Sequence, residues 1–119
     1  MRDAIVVVGA SEDQSQELCA ALEREEFRTI PSDSLASLEK NIRRVSRHVV
    51  ILDLDIFPVD NLFIRNLRRQ YPGACIIALS SRSFHPELKE AMSKHIYACL
   101  GKPVDTEELI YWTRSICED

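Results

Sequence analysis

The chain has 119 residues, of which 45% are hydrophobic and 29% charged, with a formal net charge of −4 at pH 7. This length suits one domain, and the composition excludes disorder of the whole chain. The negative net charge argues against direct nucleic-acid binding by this domain. The densest basic cluster (Arg65, Arg68 and Arg69) has the spacing of a solvated helix face, so it does not indicate a nucleic-acid site either.

The first part of the chain alternates short apolar runs with amphipathic segments. Ala4–Val8 is a continuous β-branched run, which predicts a strand covered on both faces. Ser11 predicts the start of a helix that ends near Glu26, and Phe27–Ile30 predicts a second strand. A second amphipathic helix is predicted from apolar residues spaced three and four apart, which are Leu35, Leu38, Ile42 and Val45.

The middle of the chain contains its most apolar strand, predicted over Val49–Leu54. Two carboxylates, Asp53 and Asp55, stand at the end of this strand. Asp60 is placed to cap the next helix, whose apolar stripe includes Ile64 and Leu67 before the Pro-Gly turn at residues 72–73.

The last part repeats the alternation. Ala74–Leu79 is predicted as the fourth strand and Ile96–Leu100 as the fifth. Between them Pro86 predicts the first turn of a helix. The inward side of that helix is predicted to carry Leu88, Ala91, Met92 and His95. A final helix is predicted to open at Asp105 and to bury Leu109, Trp112 and Ile116.

Five strands therefore alternate with five helices. This order predicts an α/β fold with a doubly wound, five-stranded parallel sheet and helices on both faces, and we expect residues 1–119 to form a single domain. In such sheets, functional residues collect in the loops beyond the carboxyl ends of the strands.

Three chemically complementary side chains stand at those ends. Asp53 ends the third strand, Ser80 the fourth, and Lys102 follows the fifth. An aspartate can act as a nucleophile, a hydroxyl can bond an oxygen of the transferred group, and an ammonium can neutralise its charge. The combination indicates phosphoryl chemistry, although each residue alone also suits a turn, a cap or a solvated surface.

The stretches VVILDLDIFPVDNL, IIALSS and CLGKPVDTEEL resemble the receiver domain of two-component response regulators, and the resemblance covers nearly the whole chain. It implies the flavodoxin-like receiver topology. By position it implies that Asp53 is the phosphoacceptor, that Ser80 and Lys102 contact the phosphate, and that a cis peptide bond precedes Pro103. The switch region of the family corresponds to Ser81, Cys99 and Pro103.

The chain departs from the family's pattern at the end of the first strand. Members normally carry two adjacent acidic residues there that hold Mg²⁺, and this chain has Gly9 and Ala10. Mg²⁺ prefers carboxylate and water oxygens, so Asp53 and Asp55 alone make a poor site, and no cofactor is firmly expected. Glu12 and Asp13 are better explained by a helix N-terminus. Asp55 either supplies a further ligand carboxylate or adds repulsion, and the sequence leaves both open.

We therefore expect an atypical receiver in which Mg²⁺-dependent phosphorylation at Asp53 is weakened or lost. The expected partners are a histidine kinase or another signalling protein, an attached output domain (for example one that regulates transcription) and a second copy of the chain. The family's contact face corresponds here to the surroundings of Lys94, Tyr97, Asp105 and Tyr111.

Two enzymatic alternatives are weaker, and we expect no enzyme. Asp53-Leu54-Asp55 resembles the D-x-D motif of haloacid-dehalogenase-type phosphatases, but it lies on the wrong strand for that family. A dinucleotide-binding domain requires a glycine-rich G-x-G-x-x-G turn, and the chain has only three separate glycines.

The remaining features indicate a cytoplasmic protein without a membrane partner. No apolar stretch reaches membrane-spanning length, and the apolar run at the start soon meets Glu12 and Asp13, unlike a signal peptide. Four cysteines occur without a C-x-x-C pair, at Cys19, Cys75, Cys99 and Cys117. We expect them to be buried free thiols.

Overall fold

The computed structural model describes residues 4–8, 12–32, 48–57, 59–82 and 85–117. Its five strands are β1 (Ala4–Val8), β2 (Arg28–Ser32), β3 (His48–Asp53), β4 (Ala74–Ser80) and β5 (Ile96–Gly101). Within these ranges, three α-helices occur, α1 (Glu12–Arg24), α2 (Asn61–Gln70) and α3 (Thr106–Cys117), and a 3-10 helix (Pro86–Leu88) and a π-helix (Ala91–His95) lie between β4 and β5. The predicted helix containing Leu35 and Val45 lies outside the described residues.

The strands form one sheet in the order β2-β1-β3-β4-β5, and all four pairings are parallel. This confirms the predicted doubly wound α/β architecture. Strand β2 continues through Pro31 to Ser32, beyond its predicted end at Ile30. The extension is possible because β2 lies at the edge of the sheet, where a strand tolerates a residue that has no backbone N–H.

Alternate strand residues face two apolar cores on opposite sides of the sheet, as the predicted burial of both faces requires. The first core packs the sheet against α2 and the segment 86–95, through Ile64, Leu67, Leu88 and Ala91. The second packs it against α1 and α3, through Leu18, Leu22, Leu109 and Ile116. Burying each large aliphatic side chain contributes about 1.5–3 kcal/mol, so the two cores hold the strand ends in register.

Two aspartates cap helices as predicted. The carboxylate of Asp60 accepts a hydrogen bond of 2.8 Å from the backbone N–H of Phe63 at the start of α2. The carboxylate of Asp105 accepts bonds of 2.9 and 3.4 Å from the N–H groups of Glu107 and Glu108 at the start of α3. Both satisfy N–H groups that have no partner within the helix.

The helix predicted to begin at Pro86 is present, but its geometry is irregular, with a 3-10 turn at Pro86–Leu88 and a π turn at Ala91–His95. The side chain of Asn61 donates to the carbonyl of Glu87 (3.1 Å) and accepts from the N–H of Ala91 (2.9 Å). Those two backbone groups would otherwise bond each other in an α-helix, so the inserted amide explains the change from 3-10 to π geometry. Of the predicted inward residues, Leu88 and Ala91 are buried and Met92 packs against the first core, whereas His95 is half-buried, with its Nε2 3.4 Å from Glu90 Oε2.

The cysteine prediction is only partly correct. All four thiols are free, but Cys99 is exposed and the others are half-buried. Cys99 lies on β5, an edge strand that has only β4 as a neighbour, so residues pointing away from the core reach solvent. Within the described ranges, no helix has the length and hydropathy needed to cross a membrane.

Candidate functional site

The register of the sheet brings the predicted site residues to one edge. Asp53, the last residue of β3, pairs with Leu79, and Ser80, the last residue of β4, pairs with Gly101 of β5. Lys102 follows directly after β5. Because parallel strands end at the same side of a sheet, these three residues and the loops behind them share one location.

Asp53 is fully buried, and both of its carboxylate oxygens have partners. Its Oδ1 accepts hydrogen bonds from the backbone N–H groups of Asp55 (2.9 Å) and Ile56 (3.3 Å). Its Oδ2 accepts from Lys102 Nζ at 2.7 Å. A buried carboxylate is tolerated only when it is paired and hydrogen-bonded, and this set of donors meets that requirement.

Lys102 lies between two carboxylates. Its Nζ is 2.7 Å from Asp53 Oδ2 and 3.0 Å from Asp55 Oδ2, and 20% of its side chain is exposed. Partial burial by itself lowers the pKa of this lysine, but the hydrogen bonds to Asp53 and Asp55 outweigh that effect and raise it above its ordinary value. Lys102 is therefore a firmly held cation at neutral pH.

Asp55 takes a third role beyond the two that the sequence left open. It is paired with Lys102, and its carboxylate also accepts from the N–H of Ser81 (3.0 Å) and, more weakly, from the hydroxyl of Ser80 (3.5 Å). The hydrogen bond from Lys102 is the main cause that lowers the pKa of Asp55, with smaller contributions from Ser81. The sequence signal that could have indicated this role is the position of Asp55, two residues after Asp53, where a tight turn can direct its side chain back towards the sheet edge.

Ser80 is buried and acts in both hydrogen-bonding directions. Its Oγ accepts from the backbone N–H of Arg82 at 3.0 Å, which leaves the hydroxyl hydrogen to point at Asp55. Lys102 therefore contacts Asp53 directly, whereas Ser80 is linked to Asp53 only through Asp55 and Lys102.

The three residues assigned to the switch region lie around this cluster. Ser81 is exposed and contributes its backbone N–H to Asp55. Cys99 is exposed on β5 and pairs with Ala78 of β4. The Lys102–Pro103 peptide bond is cis, as the resemblance implied.

The described residues do not fit a resident Mg²⁺ ion. Among them, no group of three or more His, Cys, Asp or Glu side chains is arranged to hold a metal. The two carboxylates at this edge, Asp53 and Asp55, are bridged by the ammonium of Lys102, which would repel a dication placed between them. Gly9, Ala10 and the side chains of Glu12 and Asp13 lie outside the described part of the structure.

A groove of about 440 Å³ opens beside the cluster. Its polar lining comes from Asp55, Ser80, Ser81, Arg82, His85 and Glu87. Asp53 and Lys102 do not line it, and the carboxylates that face the groove are those of Asp55 and Glu87. A small polar ligand that entered here would meet Asp55 before it reached Asp53.

The sequence matches no protein-family model and no curated protein. Solved structures match it well. A response regulator from Thermotoga maritima has a TM-score of 0.85 at 18% identity, with full coverage of both chains. NtrX from Brucella abortus has a TM-score of 0.82 at 19% identity, and the match covers 99% of this chain and 26% of NtrX.

A third match comes from the co-crystal structure of the Saccharomyces cerevisiae histidine phosphotransfer protein Ypd1 with the receiver domain of Ssk1. It has a TM-score of 0.78 at 14% identity and covers 98% of this chain and 89% of the matched chain. At these identities the likeness concerns the fold. The chain has the fold of response-regulator receiver domains, which confirms the topology that its motifs implied.

Proposed function

We propose that this chain is a signal-transduction receiver domain of a two-component response regulator, with residues 1–119 forming one such domain in the cytoplasm. Asp53 is the phosphoacceptor position, and Ser80 and Lys102 are the residues that would contact a phosphoryl group. The observation that carries the proposal is the direct pairing of Lys102 with Asp53 at the carboxyl edge of a receiver-type sheet.

We further propose that Mg²⁺-dependent phosphorylation of Asp53 is weakened or lost. Two sequence positions support this, since Gly9 and Ala10 replace the acidic pair expected at the end of β1. The surroundings of Asp53 support it as well, because its side chain is fully buried and its carboxylate is already paired with the ammonium of Lys102. An incoming phosphoryl group would have to displace that pairing without a divalent ion to offset its charge.

The domain would then act through protein contacts. The contact face proposed from the resemblance is exposed, with 47% of Tyr97 and 64% of Tyr111 accessible. Both rings pack edge-to-face on Trp112, at centroid distances of 5.8 and 5.3 Å, which holds them in fixed positions. Exposed, ordered aromatic side chains suit a protein partner.

The proposed partners are a histidine kinase or other signalling protein, an output domain and a second copy of this chain. The matched complex with Ypd1 supports the first class, and the greater length of NtrX supports the second. The structure argues against the phosphatase alternative, because the ammonium of Lys102 lies between the two carboxylates of its motif.

Phosphorylation by a small donor tests the proposal. The full chain is incubated with phosphoramidate and Mg²⁺ and its intact mass is measured, alongside the variant Gly9→Asp/Ala10→Asp, which restores the acidic pair. We expect little or no phosphate-sized increment on the natural chain and a clear increment on the variant. Adding Asp53→Asn should abolish the increment.

Two results would count against the proposal. Rapid, near-complete phosphorylation of the natural chain that depends on Asp53 would refute the loss of phosphorylation while retaining the receiver assignment. An increment that survives Asp53→Asn would refute the assignment of the phosphoacceptor. Magnesium titration of the same samples, followed by amide shifts around Asp55, should show saturation only in the variant.

A further inference from the structure

Three hydrogen-bond donors converge at the edge of the sheet from two different strand ends. They are the hydroxyl of Ser80, the backbone N–H of Ser81 and the ammonium of Lys102. A hydroxyl, an amide N–H and an ammonium that point at one location make a site for a negatively charged oxygen group. We call these three donors the anion niche.

The anion niche is filled from within the chain. The Asp55 carboxylate lies 3.0 Å from the Ser81 nitrogen, 3.0 Å from Lys102 Nζ and 3.5 Å from Ser80 Oγ. A carboxylate and a phosphoryl group both present charged oxygens that accept charge-assisted hydrogen bonds, so the donors that hold one can hold the other. Asp55 therefore stands where an oxyanion delivered to this site would bind.

The local backbone explains how Asp55 reaches the niche. Leu54 continues the pairing of β3 with its N–H bonded to the carbonyl of Leu79 at 2.9 Å. The chain then turns, because Asp53 Oδ1 accepts hydrogen bonds from the N–H groups of Asp55 and Ile56. This turn, which an aspartate side chain commonly nucleates, directs the next carboxylate towards β4.

We propose that Asp55 is a tethered anionic ligand of the niche, which keeps Ser80, Ser81 and Lys102 in an anion-bound arrangement without any external phosphoryl group. The inference deepens the proposed function, since it concerns the site that would receive a phosphoryl group in a receiver domain. It also adds a second reason for weak phosphorylation, because an incoming anion must compete with Asp55 for the same donors.

A titration with inorganic phosphate tests this in the isotope-labelled full chain at constant ionic strength. The readout is the amide signal of Ser81. In the natural chain the signal should stay in place as phosphate is added, because its acceptor is already present. In Asp55→Ala the signal should shift upfield before any addition, then move and saturate with phosphate. The phosphate affinity should be at least tenfold higher than the upper limit that the titration sets for the natural chain.

Two further variants separate charge from general effects. Asp55→Asn keeps the shape of the side chain, so its phosphate affinity should fall between those of the natural chain and Asp55→Ala. Glu107→Gln removes the same charge from an exposed carboxylate outside the niche and should behave like the natural chain. Phosphate binding at Ser81 that is equally tight in the natural chain, Asp55→Asn and Asp55→Ala would overturn the inference.

The two proposals fail separately. If Asp53 proved to be an efficient phosphoacceptor, the proposed loss of phosphorylation would fall, and the Ser81 titration would still measure competition by Asp55. If the titration showed no gain in the Asp55 variants, the tethered-ligand inference would fall, and the mass result on Gly9→Asp/Ala10→Asp would be unaffected. Asp55 has 27% of its side chain exposed in a turn, so both variants are expected to fold.

Discussion

Removing the ammonium of Lys102 should destabilise the protein more than removing the carboxylate that it pairs with. In Lys102→Met, the buried Asp53 carboxylate loses its 2.7 Å cationic partner and keeps only two backbone N–H groups. In Asp53→Asn, the side chain loses its charge, its oxygen can still accept from the same two N–H groups, and Lys102 keeps Asp55 at 3.0 Å.

The expected magnitudes follow from burial. Breaking a buried ion pair from one side costs about 3–5 kcal/mol, and the two retained N–H bonds place Lys102→Met near the lower end, at about 3 kcal/mol. Asp53→Asn should cost about 1 kcal/mol, the net value of a typical hydrogen bond. The double variant no longer buries an unpaired charge and should be more stable than Lys102→Met alone by about 1 kcal/mol, giving a coupling of roughly 2 kcal/mol.

Urea unfolding of the four proteins measures these values, with far-UV circular dichroism and Trp112 fluorescence as independent probes. Coincident transitions and a constant denaturant slope serve as the control for two-state unfolding. Two single losses that simply add in the double variant would refute the buried pairing. A cost below about 0.5 kcal/mol for Lys102→Met, which is the range of an ordinary surface substitution, would refute it as well.

Two further predictions concern pH and helix capping. The hydrogen bond from Lys102 lowers the pKa of Asp55. The stability that the Asp55 carboxylate contributes is therefore present above the ordinary carboxyl pKa and is lost as the pH falls through the lowered value. The difference in unfolding free energy between the natural chain and Asp55→Asn should be full at neutral pH and shrink below about pH 4. A difference that stayed constant on acidification would contradict the pairing. Replacing Asp60 by alanine leaves the N–H of Phe63 without its cap and should lower the unfolding free energy in urea by about 1 kcal/mol. Asp60→Asn keeps a side-chain oxygen that can accept this bond and should cost less. Equal losses in the two variants would contradict a capping role.

Much of the fold was predictable because the relevant signals are local. The apolar runs that became β1, β3 and β4 are continuous, as strands buried on both faces must be. For these three strands and for β5, the predicted bounds differ from the observed ones by one residue or none. Asp60 and Asp105 were recognisable as caps because an N-cap needs only its own next three residues.

The helix over residues 86–95 was predictable from its own residues, but its irregular geometry was not. Its turns and apolar spacing read as one helix, but the geometry depends on the side chain of Asn61, which arrives from α2 and bonds Glu87 and Ala91. A contact between residues about thirty positions apart cannot be recognised from the spacing of apolar and polar residues within either segment. The exposure of Cys99 has a similar origin, since strand order alone makes β5 an edge.

The sequence by itself determined which chemical groups reach the functional edge, because in a parallel sheet the residues at the strand ends must meet there. Asp53, Ser80 and Lys102 could be assigned to one place for that reason. Only the tertiary structure decided how they pair. Asp55 could have been a metal ligand, a source of repulsion or a partner of Lys102. The contacts of 3.0 Å that join it to Lys102 and Ser81 depend on how the loops after three different strands are placed. Hydrogen bonding and charge pairing change steeply over such distances, whereas the order of residues along the chain does not contain them.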